Sequence, residues 1–298
     1  MPVYMNDWWW DVVAPGWNVA LLTNGQGILA AWPYFIYHAF GFKVLGNPPL
    51  TPYSGPVLNA PADLAVHNQA SFQEKVVAGL LPMMPKVSYT DVDLPPDFHF
   101  FLPWKHAGYT LAPRVTYLLD LTPATDALLE QCKPTLRRQI KNAAKTIKVE
   151  ETADAAVFFN LHRQSIHRQG AAFKYNQQQV QQLLDATRAH NQGTMLMAVD
   201  DSGTAHAAMF LVWDAGCAYY LAGGLNEACK GSGAMSLLLW HALGLAKERG
   251  VPCFDFEGSM VPSVERFFRL FGGRLQTYYK ITRSTSVLWD LKQYIMRK

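Results

Sequence analysis

Apolar residues recur along this chain with two spacings, and the spacing changes several times. A helix is predicted from an Asn6 or Asp7 cap through Val13, with Trp8, Trp9 and Trp10 on it. The runs 18–22 and 28–35 predict two strands around Asn24-Gly25, a hairpin-turn dipeptide. The segment 45–56 holds four prolines and two glycines, so it is loop or extended chain. A helix over 68–81 follows, then strands over 86–92, 98–102 and 114–120. After Leu121-Thr122-Pro123 the pattern turns helical. A helix from Thr125 runs through Pro134, and amphipathic helices cover 157–169 and 177–189.

The next stretch gathers most of the glycine punctuation. Two strands, opening at Met195 and Ala207, precede a short strand at 219–222 that Gly223-Gly224 stops. Asn226 to Gly233 then turns into a long apolar helix, 234–249, ended by Gly250 and Pro252. A strand over 253–257 would place Asp255 and Glu257 on one face and Phe254 and Phe256 on the other. Pro262 opens a helix that buries Phe267, Phe268 and Phe271, and a strand over 274–281 and an amphipathic helix over 289–296 complete the chain.

Composition narrows the class. Half of the 298 residues are hydrophobic and 16% are charged, enough for a sizeable core and too apolar for disorder. A net charge of +3 suits a phosphorylated substrate and excludes a dedicated DNA binder. Cys132, Cys217, Cys229 and Cys253 have no metal-ligand spacing, so reduced thiols and no metal site are expected. His162 and His167 have no partner at ligand spacing either. No basic segment precedes an apolar one at the start, and no window of about 20 uninterrupted apolar residues occurs. The expectation is a cytoplasmic protein without a membrane span, with the tryptophan cluster packed into a core rather than anchored at a membrane interface.

Three features carry candidate chemistry. A glycine turn, Lys230-Gly231-Ser232-Gly233, feeds a helix N-terminus, where free backbone N–H groups and the helix dipole favour an anion. Lys230 would be its phosphate contact. Arg137, Lys141, Lys145 and Lys148 recur at helical spacing, and read either as a solvated face or as a clamp for a polyanionic substrate. Asp255 and Glu257 read either as a base that serves an amine nucleophile or as structure, one acid capping a helix and the other pairing with Arg266 or Arg269. Ser259 is a turn or cap group, or a ligand to an acyl carbonyl.

The segment 194–283 resembles the C-terminal part of a GNAT-superfamily acyltransferase of the FemABX-like and BioF2-like branch. The residues that carry the likeness are the hairpin Met195-Leu-Met-Ala-Val and Ala207-Ala-Met-Phe-Leu-Val, Tyr219-Tyr220, Gly231-Ser-Gly-Ala-Met-Ser, Phe254-Asp-Phe-Glu-Gly-Ser and Arg266-Phe-Phe. The basic segment Leu136-Arg-Arg-Gln-Ile-Lys-Asn-Ala resembles the helix that precedes the core in that branch. The resemblance implies an α/β (α+β) fold of two GNAT-like domains, each a mixed, mostly antiparallel sheet flanked by helices. The first, residues 1–121, would be a degenerate copy, and the second, residues 122–298, the acyltransferase.

Function follows as an expectation from the same resemblance. It implies acyl or aminoacyl transfer to an amine on a small-molecule or cell-envelope acceptor, with acyl-CoA or aminoacyl-tRNA as donor. A conventional acetyl-CoA N-acetyltransferase and a non-catalytic binding module stay open. Tyr220, Arg137, Lys141 and Ser259 would contact substrate. Two departures from the family pattern stand out. The donor turn lacks its usual Gln or Arg, with Ala228 or Lys230 there depending on register. Phe268 falls where many acetyltransferases carry the tyrosine that reprotonates the leaving thiolate, so either Tyr278 or Tyr279 takes that role or the leaving group is not a thiolate.

Overall fold

The computed structural model describes every residue except Gln26, His99, Ala171, Arg297 and Lys298. Helix α1 (Asp7–Val13) is ended by Pro15 and by Gly16 in the left-handed conformation. Strands β1 (Asn18–Asn24) and β2 (Gly27–Ala39) pair antiparallel from Asn18↔Tyr34 to Asn24↔Gly27, so a hairpin forms at the expected place but Asn24 ends the strand pairing and is not a central residue of the turn. Strand β3 (Phe42–Gly46) follows. The proline-rich segment 47–56 leads to the two-residue β4 (Val57–Leu58), then to α2 (Gln69–Leu80) and β5 (Tyr89–Asp93).

The strand expected over 98–102 does not form. Phe98 closes a turn on the Pro95 carbonyl, His99 lies outside the described residues, and Leu102–His106 is helix α3. Pro103 explains the helix, because the first turn is where a missing N–H costs nothing.

Strand β6 (Thr110–Asp120) precedes α4 (Thr125–Gln131) and α5 (Pro134–Ala143). These are two helices where one was expected. Pro134 holds Lys133 extended at ψ 142°, so the chain breaks and restarts with proline inside the new first turn. The basic face shortens with it: Lys145 falls in a turn, and Lys148 lies on β7 (Ile147–Thr152), paired with Asp201 at 3.2 Å. Helices α6 (Ala156–Arg168) and α7 (Gln177–Ala189) and strands β8 (Gly193–Asp200), β9 (Ala205–Trp213) and β10 (Ala218–Leu225) come next. Then follow α8 (Ala234–Glu248), β11 (Cys253–Asp255), α9 (Pro262–Phe268), β12 (Arg274–Ser284) and α10 (Val287–Met296).

Strand β10 does not stop at Gly223-Gly224, as the glycines suggested. It runs on to Leu225 because helix α6 crosses it directly. A Cβ on Gly224 would lie 2.2 Å from the Leu161 carbonyl carbon, so glycine serves close packing here and not chain termination.

These elements gather into two compact units. One comprises Met1–Val13 and Val115–Gln276, the other Ala14–Arg114 and Thr277–Lys298. The fold is α/β, with mixed, mostly antiparallel sheets and flanking helices. In the second unit the strands run β1-β2-β3-β5-β12, with only β3 and β5 parallel. Its core gathers Trp32, Leu45, Val92 and Ile281 from the strands with Val76, Val77, Leu80, Leu94, Phe98 and Trp104.

In the first unit the order is β6-β11-β10-β9-β8-β7, with only β10 and β11 parallel. All of β9 from Ala207 to Trp213 is buried, as a strand covered on both faces requires. Ala207, Met209 and Leu211 join the core that Leu238, Leu239, Ala242 and Leu243 of α8 complete. The alternate residue Phe210 meets Phe158 of α6 edge-on. Helix α1 packs on α7, with Trp9 and Trp10 fully buried and Trp8 stacked on His190 at 4.6 Å. The tryptophan cluster is therefore core. The cysteines are all free thiols. Among the described residues no helix is long and apolar enough to cross a membrane.

Candidate active site

The site grows from the one parallel strand pair among the described residues of the first unit. Strands β10 and β11 keep register for two residue pairs only, Ala218↔Phe254 and Tyr219↔Asp255. Beyond them β10 continues through Leu225, with an extra residue bulged between Tyr220 and Ala222. Chain β11 parts from β10 there: the Phe256 N–H stays with β6, on the Tyr117 carbonyl at 3.1 Å, and Glu257 then takes a left-handed φ of 54°. The pair thus opens like a fork at Tyr220 and Glu257.

Asp255 and Glu257 do not share a strand face. The expected strand over 253–257 ends at Asp255, and the positive φ turns Glu257 away from the alternation. Asp255 is 2% exposed and committed. Its carboxylate accepts from the Thr116 hydroxyl and from the Glu257 N–H at 2.7 Å, which fixes the turn. Gly258 completes that turn at φ +62°. A Cβ there would sit 1.9 Å from the Val115 carbonyl oxygen, so no side chain fits.

Glu257 has the opposite character. Its Oε1 is buried without a hydrogen-bond partner, and neither Arg266 nor Arg269 compensates it: Arg269 is spent on Glu265, at 3.0 Å from Nε. Loss of solvent, and secondarily the negative charge of Asp255, raise its pKa well above the ordinary carboxylate value of 4.5. Tyr220 lies within reach of that charge. Burial first, and then Glu257, push its phenol up, so it keeps its proton at neutral pH. The Tyr220 ring meets Phe268 edge-on at 5.5 Å, and Phe268 in turn packs on Phe256 and Phe267. Phe254 and Phe256 are fully buried, as their alternation implied.

The glycine turn sits where the sequence puts it, at the start of α8. Gly231 and Gly233 are left-handed, at φ +90° and +77°. The Ala234 N–H is capped by the Ser232 hydroxyl at 3.3 Å. The next two amides, of Met235 and Ser236, belong to the first turn, where no intrahelical acceptor exists. Helix α5 lies alongside, since the Gln139 side chain accepts from the Ser236 hydroxyl at 3.2 Å. Arg137 and Lys141 are on that helix, outside any ion pair among the described residues. Lys230 is exposed and already paired with Glu227 at 3.2 Å. Such a surface pair is worth about 0–1 kcal/mol and exchanges readily. Two cavities of the first unit, about 430 and 630 Å³, lie toward the starts of β10 and β11, and neither is lined by the turn, Tyr220 or Glu257.

The remaining candidates separate. Ser259 accepts from the Val261 N–H at 3.1 Å, a turn contact just before α9. Tyr279 belongs to the second unit, where its ring packs on Phe101 and its carbonyl accepts from Leu94. Among the described residues no group of three or more His, Cys, Asp or Glu is placed to hold a metal. Sequence reasoning passed over Thr116, which anchors Asp255 from another strand, because pairing of β6 with β11 brings together residues 139 positions apart. It also passed over His162 as a support of β10. Buried and stacked on Phe158, its Nδ1 meets the Gly223 carbonyl at 2.8 Å, and burial lowers its pKa.

A parallel pair that splits beside a glycine turn at a helix start is the arrangement of an acyltransferase of the GNAT class. Residues 131–269 match the family model described as an acetyltransferase (GNAT) domain, so this part of the chain is similar to that transferase family. In fold the chain is similar to FemX, at TM-score 0.69 and 11% identity, covering 93% of this chain and 91% of that one. It is also similar to L-PGS from Bacillus licheniformis, at TM-score 0.51 and 15% identity over 94% and 88% of the two chains. A tandem GNAT protein from the clavulanic acid biosynthesis pathway matches at TM-score 0.51 and 10% identity, over 96% and 98%. No curated protein sequence matches the chain.

Proposed function

We propose that the protein transfers an acyl or aminoacyl group from an activated donor to an amine acceptor at the fork between β10 and β11. The observation that carries this reading is the Glu257 carboxylate. One of its oxygens, Oε1, is buried without a hydrogen-bond partner, its backbone is held in a strained conformation, and it stands where the two strands part. A group with those three costs serves a task.

In the proposed reaction the acceptor amine attacks the donor carbonyl. A C–N bond forms as the C–S or C–O bond of the donor breaks. Glu257 takes the proton that the nitrogen must lose, and its raised pKa makes it a stronger base than an ordinary carboxylate. Tyr220, protonated and close to Glu257, returns a proton to the departing thiolate or alkoxide. That is the role the sequence suggested for Tyr278 or Tyr279. Asp255, Thr116 and Gly258 position Glu257 and do not touch substrate. The α8 amides hold donor phosphates, with Lys230 released from Glu227 and with Arg137 and Lys141 on neighbouring α5. The donor is acyl-CoA or aminoacyl-tRNA. The acceptor is a cell-envelope precursor or a small amine, on the strength of the FemABX-like resemblance.

Thermal shift with CoA, acetyl-CoA, aminoacyl-tRNA and nucleotide-linked sugars identifies the ligands, because a ligand at about 100 times its Kd stabilises by about 2.7 kcal/mol. Transfer to amine acceptors is then followed by mass spectrometry. Glu257→Gln should still bind donor while turnover falls by about 10²-fold or more. Unchanged turnover would overturn the assignment of the base, and no stabilisation by any donor would overturn the assignment of the turn.

A further inference from the structure

Helix α10 (Val287–Met296) turns its apolar side outward. Only Trp289 is buried, stacked on Tyr89 at 5.0 Å and edge-on to Phe42 at 5.5 Å. Val287 is 82% exposed, Leu288 68%, Leu291 56%, Tyr294 60% and Ile295 64%. At 3.6 residues per turn these five side chains fall on one arc of about 120°, in the order Tyr294, Val287, Leu291, Ile295, Leu288. Asp290 and Lys292 flank the arc and no charge falls within it. A helix that only closes a sheet shows the reverse pattern, with its apolar stripe inward. Phe40, 68% exposed at the left-handed turn between β2 and β3, extends the patch, since the Lys292 amino group lies over its ring.

The charge of this unit says what covers the patch. The second unit holds ten of the 26 lysines and arginines but only six of the 23 aspartates and glutamates, so the rest of the chain is slightly acidic. Lys43 follows the Phe40 turn, and Arg297 and Lys298 follow α10 in the sequence, while the Lys292 amino group is buried against the Phe40 ring. A second copy of the chain would bring like charge against like. An anionic surface takes both the apolar arc and the cations. A protruding aromatic, an exposed aliphatic arc, an interfacial tyrosine and flanking lysines are the parts of a helix that lies in a lipid headgroup layer without spanning it.

We propose that α10 and the Phe40 turn dock the protein onto an anionic lipid bilayer. The test is flotation of the full chain with vesicles of phosphatidylglycerol and phosphatidylcholine, against vesicles of phosphatidylcholine alone. The wild type should float with the anionic vesicles, and less as salt is raised. Leu291→Asp with Ile295→Asp should lower the bound fraction by more than about tenfold, and Phe40→Ser by a smaller factor. Both variants should keep the wild-type melting temperature, because the side chains changed are exposed. Failure of the wild type to float with either vesicle would overturn the proposal. So would a dimer in light scattering that Leu291→Asp dissociates while flotation is unaffected, which would make a second copy the occupant.

Discussion

Glu257 concentrates two costs at one residue. Its φ of 54° is a conformation that a residue with a Cβ adopts at a cost of about 1–3 kcal/mol, and its carboxylate is withdrawn from water beside Asp255. The second cost depends on pH, with a definite sign. The folded-state pKa lies above the unfolded one, so between 4.5 and that raised value the folded protein binds more protons than the unfolded chain. Stability contributed by protonated Glu257 is present below pH 4.5 and is lost as pH rises through the folded pKa. Glu257→Gln should therefore match the wild type in Tm near pH 4.5 and exceed it at pH 8, while turnover falls. A Tm difference that does not change with pH would place the carboxylate in water. Turnover of the wild type should rise with pH over the same window, as the base ionises. Gly258 gives the converse test. Gly258→Ala should lose about 1–3 kcal/mol to its left-handed φ, and more to the contact with the Val115 carbonyl oxygen, in urea denaturation. A loss below about 0.5 kcal/mol would mean that the turn relaxes freely.

Elements explain what was legible in the sequence and what was not. Helices α2, α6, α7 and α8 fall within a few residues of their predicted spans, because their periods, caps and stop signals agree. Helix α7 carries a full capping box between Asn176 and Gln179. The errors arise where one residue type serves two purposes. Pro134 restarts a helix rather than riding within one, and Gly224 admits α6 rather than ending β10. At the candidate site, periodicity singled out Glu257 and the glycine turn as candidates but extended the 253–257 strand too far. The left-handed turn at Glu257 depends on Thr116 and Val115, and no local pattern reports residues so distant in sequence. A tie of the same long-range kind holds α8 to the segment that follows β6. The Lys247 ammonium donates to the carbonyls of Leu121 and Pro123, both at 2.7 Å. Lys247→Met keeps the aliphatic stem and removes three donors, so stability should fall by about 1–2 kcal/mol in chemical denaturation. No loss would mean that water replaces the lysine at those carbonyls.

For the whole molecule, the course of the chain decides what can fold alone. A cut at 121/122, where strand character gives way to helices, would separate residues that one unit uses together. Strand β6 from Val115 onward is the antiparallel partner of β11, through Asp120↔Cys253, Leu119↔Phe254 and Leu118↔Asp255. It also supplies Thr116, the anchor of Asp255. From the other end of the sequence the same unit takes Tyr4, Trp9 and Trp10, all 2% exposed or less, and the Val3 N–H that donates to Asp214 at 3.0 Å. A fragment of residues 122–298 therefore lacks an edge of its sheet and three large buried aromatics, each worth about 3–5 kcal/mol as a core truncation. Those aromatic losses, about 9–15 kcal/mol together, are as large as the whole stability of about 5–15 kcal/mol that a domain commands, before the lost strand is counted. The fragment should show no cooperative thermal transition and poor amide dispersion by NMR, although it contains every residue of the matched domain, 131–269. Adding residues 1–121 as a separate chain should restore the transition if the two pieces associate. A sharp, concentration-independent transition for 122–298 alone would show that β6 and α1 are accessories, and would restore 121/122 as a true domain boundary.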